Sequence, residues 1–389
     1  MNMKTCRQQV VICIPVLLIG GTEMQTLTLA NVLVLEGYRV TVCCYYEYDR
    51  TMVSEMEKTG AEVILLKHER SEGMWHLAKE LNRVFRELDT DIVHVQYIAP
   101  GLIPIIAAKL SGIKTIFATV HQSGRIYGWK EKLLLRTAAQ LCTAFFCVSR
   151  SVEESWFGNS ELLDPLNFNK CRTHFTIYNA IDVDKVRQQV EGGYKEKLRS
   201  SFGLADKKVI GVVGRLRHEK GQELLLRAMP AIIEKIPGTM LVIVGDGPDR
   251  EKLLNLSRRS GLDEHIIWLG AKSPDEVYKL YSIMDVVAVP SLLEGFGLVA
   301  IEAMAAGVPV AAARVDGLPE IIEEGNTGCL FPANDHNAMA SSIIDILSDT
   351  AYSVKMGQEG RRRTKELFSF QIFFENTVSS YKSLQGKVL

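Results

Sequence analysis

Residues 286–310 read VVAVPSLLEGFGLVAIEAMAAGVPV, and this stretch decides the fold class. It opens with a short apolar run that is typical of a buried strand. A loop with two glycines follows, and residues 298–306 are apolar on nearly every side, which predicts a buried helix. A second apolar run then begins at Val308. Strand, glycine loop, buried helix and strand form the repeating unit of a parallel sheet with helices on both faces.

The composition of the whole chain agrees with this class. The chain has 389 residues, 47% of them hydrophobic and 23% charged, which describes an ordinary globular protein. This length suits two α/β domains better than one core. The formal net charge of -1 argues against a broad nucleic-acid-binding surface, and we expect no nucleic-acid partner.

Short apolar runs alternate with helical patterns from end to end, as in doubly wound sheets. The predicted strands of the first half are Val10–Pro15, Arg39–Cys44, Glu62–Leu66, Ile92–Gln96, Lys114–Val120, Ala144–Val148 and Phe175–Ile177. Those of the second half are Val209–Val213, Met240–Val244, Ile266–Leu269, Val286–Val289, Val308–Ala312 and Cys329–Phe331. Helices are expected at residues 22–37, 74–88, 101–110, 129–141 and 370–384.

This pattern predicts two Rossmann-like, doubly wound parallel-sheet domains that face each other across a ligand-binding cleft. Residues 1–182 would form the first domain and residues 183–367 the second. The last segment, residues 368–389, would pack back on the first domain as a helix. The polar stretch Gln188–Arg199 indicates a connector or a surface helix near the boundary.

The N-terminus imitates a secretory signal, because Lys4 and Arg7 precede an apolar run and small residues follow. The helical pattern from Thr22 and the strand after it favour a buried first strand instead. No apolar run approaches the ~20 residues that a membrane span needs.

The eight cysteines include no C-x-x-C pair, and four of them lie in predicted strands: Cys13, Cys43, Cys44 and Cys147. Reduced core cysteines, and hence a cytoplasmic location, are the preferred interpretation, with disulfides or zinc ligation as the alternatives.

The richest chemistry follows the strand that ends at Val289. Glu294 lies on the strand-to-helix loop, and Gly295 and Gly297 let the backbone approach a ligand closely. The backbone N–H groups at the start of the helix, at residues 298–299, favour a phosphate. Glu302 lies about one turn into this apolar helix, where a charge requires a partner or a ligand.

A second element, GRLRHEKG at residues 214–221, follows another predicted strand. Arg215 and Lys220 stand near a helix start, where cations are mildly unfavourable, so their placement indicates an anionic ligand. The glycine turn at residues 245–247 is half of a dinucleotide fingerprint and weak by itself, because Arg250 replaces the last glycine.

Together these blocks resemble the retaining glycosyltransferases of family 4, which have the GT-B fold. Three further segments match that family: GGTE at residues 20–23, TVH at residues 119–121 and YNAID at residues 178–182. Two positions depart from its pattern. Ala180 stands where glycine is usual, and Gln96 stands where many relatives carry a second histidine, which puts an acceptor-side role there in doubt.

The resemblance implies transfer of a hexose or N-acetylhexosamine from a UDP- or GDP-sugar with retention of configuration, without a cofactor or bound metal. The acceptor would be a glycan, a glycolipid or a small molecule, and the resemblance implies a role in the synthesis of a surface polysaccharide. By matching positions, Arg215 and Lys220 would bind the diphosphate, Glu302 the ribose and Glu294 the sugar. Further contacts would come from these residues: Gly21, His121, Gly295, Phe296, Gly297, Leu298 and Val299.

Alternatives remain at three points. A nicotinamide-dependent oxidoreductase would need a complete dinucleotide fingerprint near the N-terminus, which residues 20–25 do not supply. A catalytically idle sugar-nucleotide sensor or assembly subunit would have lost some of the donor-binding residues, yet Arg215, Lys220, Glu294 and Glu302 are all present. The basic, leucine-rich helix at residues 129–141 is either an ordinary amphipathic helix or a contact with the inner face of a membrane.

Overall fold

The computed structural model describes residues 7–97, 101–164 and 172–385. The chain divides into two compact units. Unit 1 comprises Met1–Ala180 and Gln371–Leu389, and unit 2 comprises Ile181–Phe370. Lys4, which belongs to the signal-like pattern, lies outside the described residues, as do residues 386–389.

Unit 1 contains a seven-stranded parallel sheet in the order β3-β2-β1-β4-β5-β6-β7. The strands are β1 Gln9–Ile14, β2 Arg39–Cys44, β3 Glu62–Leu65, β4 Ile92–Tyr97, β5 Thr115–Val120, β6 Ala144–Cys147 and β7 His174–Thr176. The strand order reverses between β1 and β4. Every residue of β1 is buried, which accounts for its continuous apolar sequence.

The helices of unit 1 cover this sheet. They are α1 Gly21–Leu35, α2 Arg50–Lys58, α3 Met74–Glu87, α4 Ile103–Leu110, α5 Trp129–Leu141 and α6 Arg150–Phe157. Helix α3 illustrates how the spacing of apolar residues determines which side of a helix is buried. It buries Leu77, Leu81 and Phe85 at helical spacing, whereas Met74 and Trp75 in its first turn are exposed.

Unit 2 repeats the architecture with a six-stranded parallel sheet in the order β10-β9-β8-β11-β12-β13. Its strands are β8 Val209–Val213, β9 Met240–Val244, β10 Ile266–Gly270, β11 Val286–Val289, β12 Val310–Ala313 and β13 Gly328–Phe331. The reversal here falls between β8 and β11, which pair directly. The carboxyl ends of strands at such a reversal are where doubly wound sheets bind ligands.

The helices of unit 2 begin with α7 Val183–Glu191 and α8 Lys195–Ser201. The others are α9 Gln222–Lys235, α10 Arg250–Arg259, α11 Pro274–Tyr281, α12 Leu298–Ala306, α13 Leu318–Ile321, α14 His336–Ser348 and α15 Thr350–Leu367. The stretch Gln188–Arg199 therefore spans parts of two helices. The Asp182 side chain accepts a hydrogen bond from Lys185 N and caps α7, and Gly193, with φ +76°, separates α7 from α8.

The last helix, α16 Phe370–Leu384, contributes Tyr381 and Leu384 to the core of unit 1. The buried hydroxyl of Tyr381 lies 2.6 Å from Nδ1 of His94 on β4, within hydrogen-bonding distance. The His94 ring also contacts Phe117 and Phe146 edge-on or tilted. An aromatic and polar cluster thus joins the end of the chain to the middle of the first sheet.

Each predicted strand is present, with ends within two residues of the prediction. The run that imitates a signal peptide forms β1, between β2 and β4. The four cysteines predicted to lie in strands are buried there and unpaired. Among the described residues, no helix is both long enough and apolar enough to cross a bilayer.

Candidate functional site

The loops after β8 and β11 leave the same edge of the unit 2 sheet, because the two strands are parallel neighbours. Their backbones then make direct contact. The carbonyl of Glu219 accepts a hydrogen bond from Leu292 N over 2.8 Å. Gly221 has φ +69°, and a Cβ placed on it would lie only 1.9 Å from the carbonyl oxygen of Pro290. Only glycine allows this approach.

This contact places Lys220 beside Glu294. The Nζ atom of Lys220 donates to Oε2 of Glu294 over 2.7 Å. The Glu294 side chain is 16% exposed and that of Lys220 is 34% exposed, so both remain within reach of a ligand. Two of the predicted site residues, 74 positions apart in sequence, therefore form an ion pair.

Two residues to which the sequence gave no role hold Glu294 in place. Ser291 Oγ donates to Glu294 Oε2 at 3.1 Å. Asp316 Oδ2 accepts from the backbone N of Glu294 at 3.1 Å, and Gly317 N donates to the carbonyl of Glu294 at 3.3 Å. The contribution of Asp316 follows from strand order, because β12 lies beside β11 and brings its own loop to the same edge.

Helix α12 begins directly after this loop. Its N-cap is Gly297, with φ +118°, and no side chain caps the helix. The partial positive charge at the first turn is therefore not offset by a capping carboxylate. Phe296, one of the expected donor contacts, precedes the N-cap. Its ring is buried against that of Phe368.

Glu302, on α12, faces α11 and accepts a hydrogen bond from the hydroxyl of Tyr281 over 2.9 Å. Burial raises the pKa of Glu302 from 4.5 to about 7, and the Tyr281 hydrogen bond lowers it by a smaller amount. The sequence predicted that a charge in this apolar helix needs a partner. The partner in the structure is the neutral hydroxyl of Tyr281. Among the described residues, no hydrogen bond or ion pair joins Glu302 to a cation.

Arg215 lies in the loop after β8, which packs closely on the glycine turn at residues 245–247. A Cβ on Gly245 would lie 1.9 Å from the carbonyl oxygen of Gly214, and one on Gly247 would lie 2.3 Å from that of Leu216. Leu216 N also donates to Asp246 O at 2.9 Å. The weak dinucleotide-like motif therefore has a structural explanation, since its glycines let the backbone support the Arg215 loop.

Gly21 and His121 belong to unit 1. Gly21 is the first residue of α1. His121 follows β5, and its Nε2 lies 2.7 Å from Oε1 of Gln96, an oxygen that only accepts, so Nε2 carries the proton. Burial lowers the pKa of His121 to about 4, which keeps the ring neutral near pH 7. Gln96 replaces the second histidine of many relatives, and here it fixes the tautomer of His121.

Comparisons with known proteins agree with this architecture. Residues 194–363 match the family described as Glycosyl transferases group 1, and residues 19–185 match Glycosyltransferase Family 4. The chain is 30% identical over 299 residues to a GDP-mannose-dependent alpha-(1-6)-phosphatidylinositol monomannoside mannosyltransferase of Mycolicibacterium smegmatis, covering 73% of this chain and 74% of that protein. It is 29% identical over 319 residues to N-acetyl-alpha-D-glucosaminyl L-malate synthase of Bacillus anthracis, covering 80% and 79%.

Solved structures show the same fold. The crystal structure of Anabaena HepE in complex with UDP has a TM-score of 0.80 and 20% identity, with coverage of 97% of this chain and 100% of that one. A glycosyltransferase from Rickettsia africae has a TM-score of 0.81 and 19% identity, with coverage of 98% and 99%. The fold is thus that of the GT-B glycosyltransferases. The chain belongs to glycosyltransferase family 4, as the comparison with the mannosyltransferase shows.

The raised pKa of Glu302 leads to a prediction about stability. Folding disfavours the ionised form of Glu302. The free energy of unfolding therefore falls as the pH rises from the unfolded pKa near 4.5 through the folded pKa of about 7. Glu302→Gln keeps an acceptor for Tyr281 and removes this cost. Between pH 5 and pH 8, the variant should gain up to about 3 kcal/mol in unfolding free energy relative to the wild type.

Urea unfolding across this pH range measures the effect. Glu366→Gln is the matched control, because Glu366 pairs with Arg362 on an exposed face of α15. The control should follow the wild-type pH dependence. A Glu302→Gln curve parallel to the wild type would contradict the raised pKa.

Proposed function

We propose that this glycosyltransferase moves a hexose or an N-acetylhexosamine from a UDP- or GDP-sugar to a glycan, glycolipid or small acceptor, with retention of anomeric configuration. The observation that carries the proposal is the Lys220–Glu294 ion pair at the start of an uncapped helix. The cation and the amides at the helix start suit the diphosphate, and the carboxylate suits the hydroxyls of the sugar. The names of the relatives, with GDP-mannose and UDP among their ligands, support the same class of donor.

In this proposal the ion pair exchanges partners when the donor binds. Lys220 turns from Glu294 to the diphosphate, joined by Arg215, and Glu294 becomes free to accept hydrogen bonds from sugar hydroxyls. Ser291 and Asp316 keep the loop in place during the exchange, because one contacts the side chain and the other the backbone of Glu294. The backbone of residues 295–299 contributes amides to the phosphates, and Glu302 binds the ribose hydroxyls.

The transfer itself follows a same-face course. The bond between the anomeric carbon and the phosphate oxygen breaks as the acceptor oxygen bonds to that carbon on the same face. The acceptor proton passes to the departing phosphate oxygen, and the nucleoside diphosphate leaves. The growing charge on the phosphate is stabilised by Lys220, Arg215 and the start of α12, so no bound metal or cofactor is needed. The roles that the family resemblance implies for Gly21 and His121 are part of the same proposal.

A catalytically idle sugar-nucleotide sensor is the second candidate. It shares the donor site and predicts binding without turnover. A sensor would also use Lys220 to bind the diphosphate, so turnover of the bound donor is the property that separates the two candidates.

Donor binding is tested by thermal shift with a panel of UDP- and GDP-sugars. One nucleotide family should raise the melting temperature, since a ligand at a hundred times its dissociation constant stabilises the folded state by about 2.7 kcal/mol. Lys220→Ala should remove most of this shift, whereas Lys355→Ala, at an exposed position of α15, should keep it. A panel in which no nucleotide sugar raises the melting temperature contradicts the proposed donor site.

Turnover is tested with the donor so identified. Glu294→Ala should lower kcat by roughly a hundredfold or more, the effect of losing one contact made to the reacting sugar. Its stability cost should be about 1 kcal/mol, because the pair with Lys220 is partly solvated. Glu366→Ala serves as the control and should leave kcat unchanged. Transfer at the wild-type rate by Glu294→Ala refutes the assigned role, and proton NMR of the product reports whether configuration is retained.

We also propose that unit 1 associates with the inner face of a membrane through α5. Trp129 is 72% exposed and Leu133 is 58% exposed, although α5 buries Leu135 and Ala139 below them. Lys130 is exposed beside Trp129, with its Nζ 5.7 Å from the ring centroid. Exposed aromatic and aliphatic side chains next to a cation suit an anionic lipid surface.

Co-sedimentation with phosphatidylcholine vesicles, with and without phosphatidylglycerol, tests this association. The wild type should bind the anionic vesicles, and the double substitution Trp129→Ala, Leu133→Ala should weaken binding roughly tenfold. Val354→Ala removes an exposed apolar residue of α15 and should have no effect. Equal binding by the double variant would mean that α5 is an ordinary amphipathic helix.

A further inference from the structure

Four potential metal ligands of unit 1 recur at intervals of four residues: His68, Glu72, His76 and Glu80. His68 follows β3, Glu72 ends a short 3-10 turn, and His76 and Glu80 lie one turn apart on α3. Three different pieces of backbone thus bring two imidazoles and two carboxylates to one place. None of the four belongs to the proposed donor site.

The donor atoms lie close together. Nδ1 of His68 is 2.8 Å from Oε2 of Glu80 and 3.3 Å from Oε2 of Glu72. Nδ1 of His76 is 3.5 Å from Oε1 of Glu72. The ligand atoms of His68, Glu72 and His76 all lie within 4.8 Å of one another. Tetrahedral zinc with bonds of about 2.0–2.2 Å needs ligand atoms about 3.3–3.6 Å apart, so small side-chain rotations suffice.

The first two ligands are held in position before any ion binds. The His68 side chain is only 2% exposed, and its backbone N donates to Tyr45 O at 2.8 Å. Glu72 accepts from the backbone N of Glu69 at 2.8 Å, as part of a capping box at the 3-10 turn. A pre-positioned pair lowers the entropy cost of binding an ion.

A histidine that only bridges two glutamates does not explain the whole cluster. His76 also turns its Nδ1 toward the same Glu72, although its side chain is half exposed, and its ring lies edge-on to that of His68. A divalent cation accounts for all four side chains. It balances the two carboxylate charges and uses one nitrogen from each neutral imidazole.

We propose that His68, Glu72, His76 and Glu80 bind one zinc-class divalent transition-metal ion. A mixed set of imidazole and carboxylate ligands suits zinc, whereas Mg²⁺ and Ca²⁺ prefer oxygen ligands alone. His68, Glu72 and His76 supply three ligands, and Glu80, with Oε2 2.8 Å from His68 Nδ1, would complete the four-ligand shell of a structural site. The ion ties the segment after β3 to the first turns of α3. It takes no part in sugar transfer, so donor chemistry without a metal is compatible with it.

Isothermal titration calorimetry of the full chain, freed of metal by a chelator and dialysed, tests the proposal with ZnCl₂ as the probe. The wild type should bind one equivalent with a micromolar or lower dissociation constant. His76→Ala, which removes a half-exposed ligand, should weaken binding at least tenfold. His336→Ala, at the start of α14, is the control and should bind zinc as the wild type does. MgCl₂ should produce no binding heat at this site.

Two further readouts separate ligation from unspecific binding. Zinc should raise the melting temperature of the wild type but not that of His76→Ala. Co²⁺ should give the intense visible bands of a tetrahedral nitrogen and oxygen site, and zinc should displace it. Absence of zinc binding in the wild type, or an equal loss of affinity in His76→Ala and His336→Ala, overturns the proposal.

Discussion

The donor-side site of unit 2 depends on a single close contact between two backbones. Gly221 approaches the carbonyl of Pro290 so closely that no side chain fits between them. This contact joins the loop after β8 to the loop after β11, and Lys220 and Glu294 meet as a consequence. Glycine at this position is therefore a requirement of the site as much as of the chain conformation. The glycines at residues 245 and 247 provide the same kind of support one strand further along.

The two acidic residues of the site differ in their environments, and this difference suits different tasks. Glu294 is partly exposed and forms an ion pair with Lys220. Glu302 is buried beside the hydroxyl of Tyr281, and its pKa near 7 reflects an unfavourable place for a charge. A ligand with two hydroxyls would provide the missing donors to that carboxylate. The ribose of a nucleotide is such a ligand, in keeping with the role proposed for Glu302.

Unit 1 shows how the end of the chain completes a core begun near its start. Tyr381 and Leu384 of α16 pack among residues of the first strands and helices. His94 bonds to Tyr381 on one side and lies 2.8 Å from Thr119 Oγ1 through its other nitrogen. Burial lowers the pKa of His94 to about 3, so it acts as a neutral hydrogen-bonding group in the core. His121, two residues beyond Thr119, is bonded in turn to Gln96. Burial on β4 and at the end of β5 therefore keeps both rings neutral.

The sequence by itself determined the fold class and every strand, because buried parallel strands are short, continuous apolar runs that need no knowledge of their neighbours. It also predicted site roles for Lys220, Glu294 and Glu302, because their charges stand among glycines and apolar residues. Strand order, by contrast, is a property of the folded sheet. Only the tertiary structure paired Lys220 with Glu294, gave Ser291 and Asp316 a role, turned Phe296 into the core and placed Tyr281 on Glu302. These contacts join segments that are distant in sequence, and the local pattern of a segment does not determine which other segment it will contact.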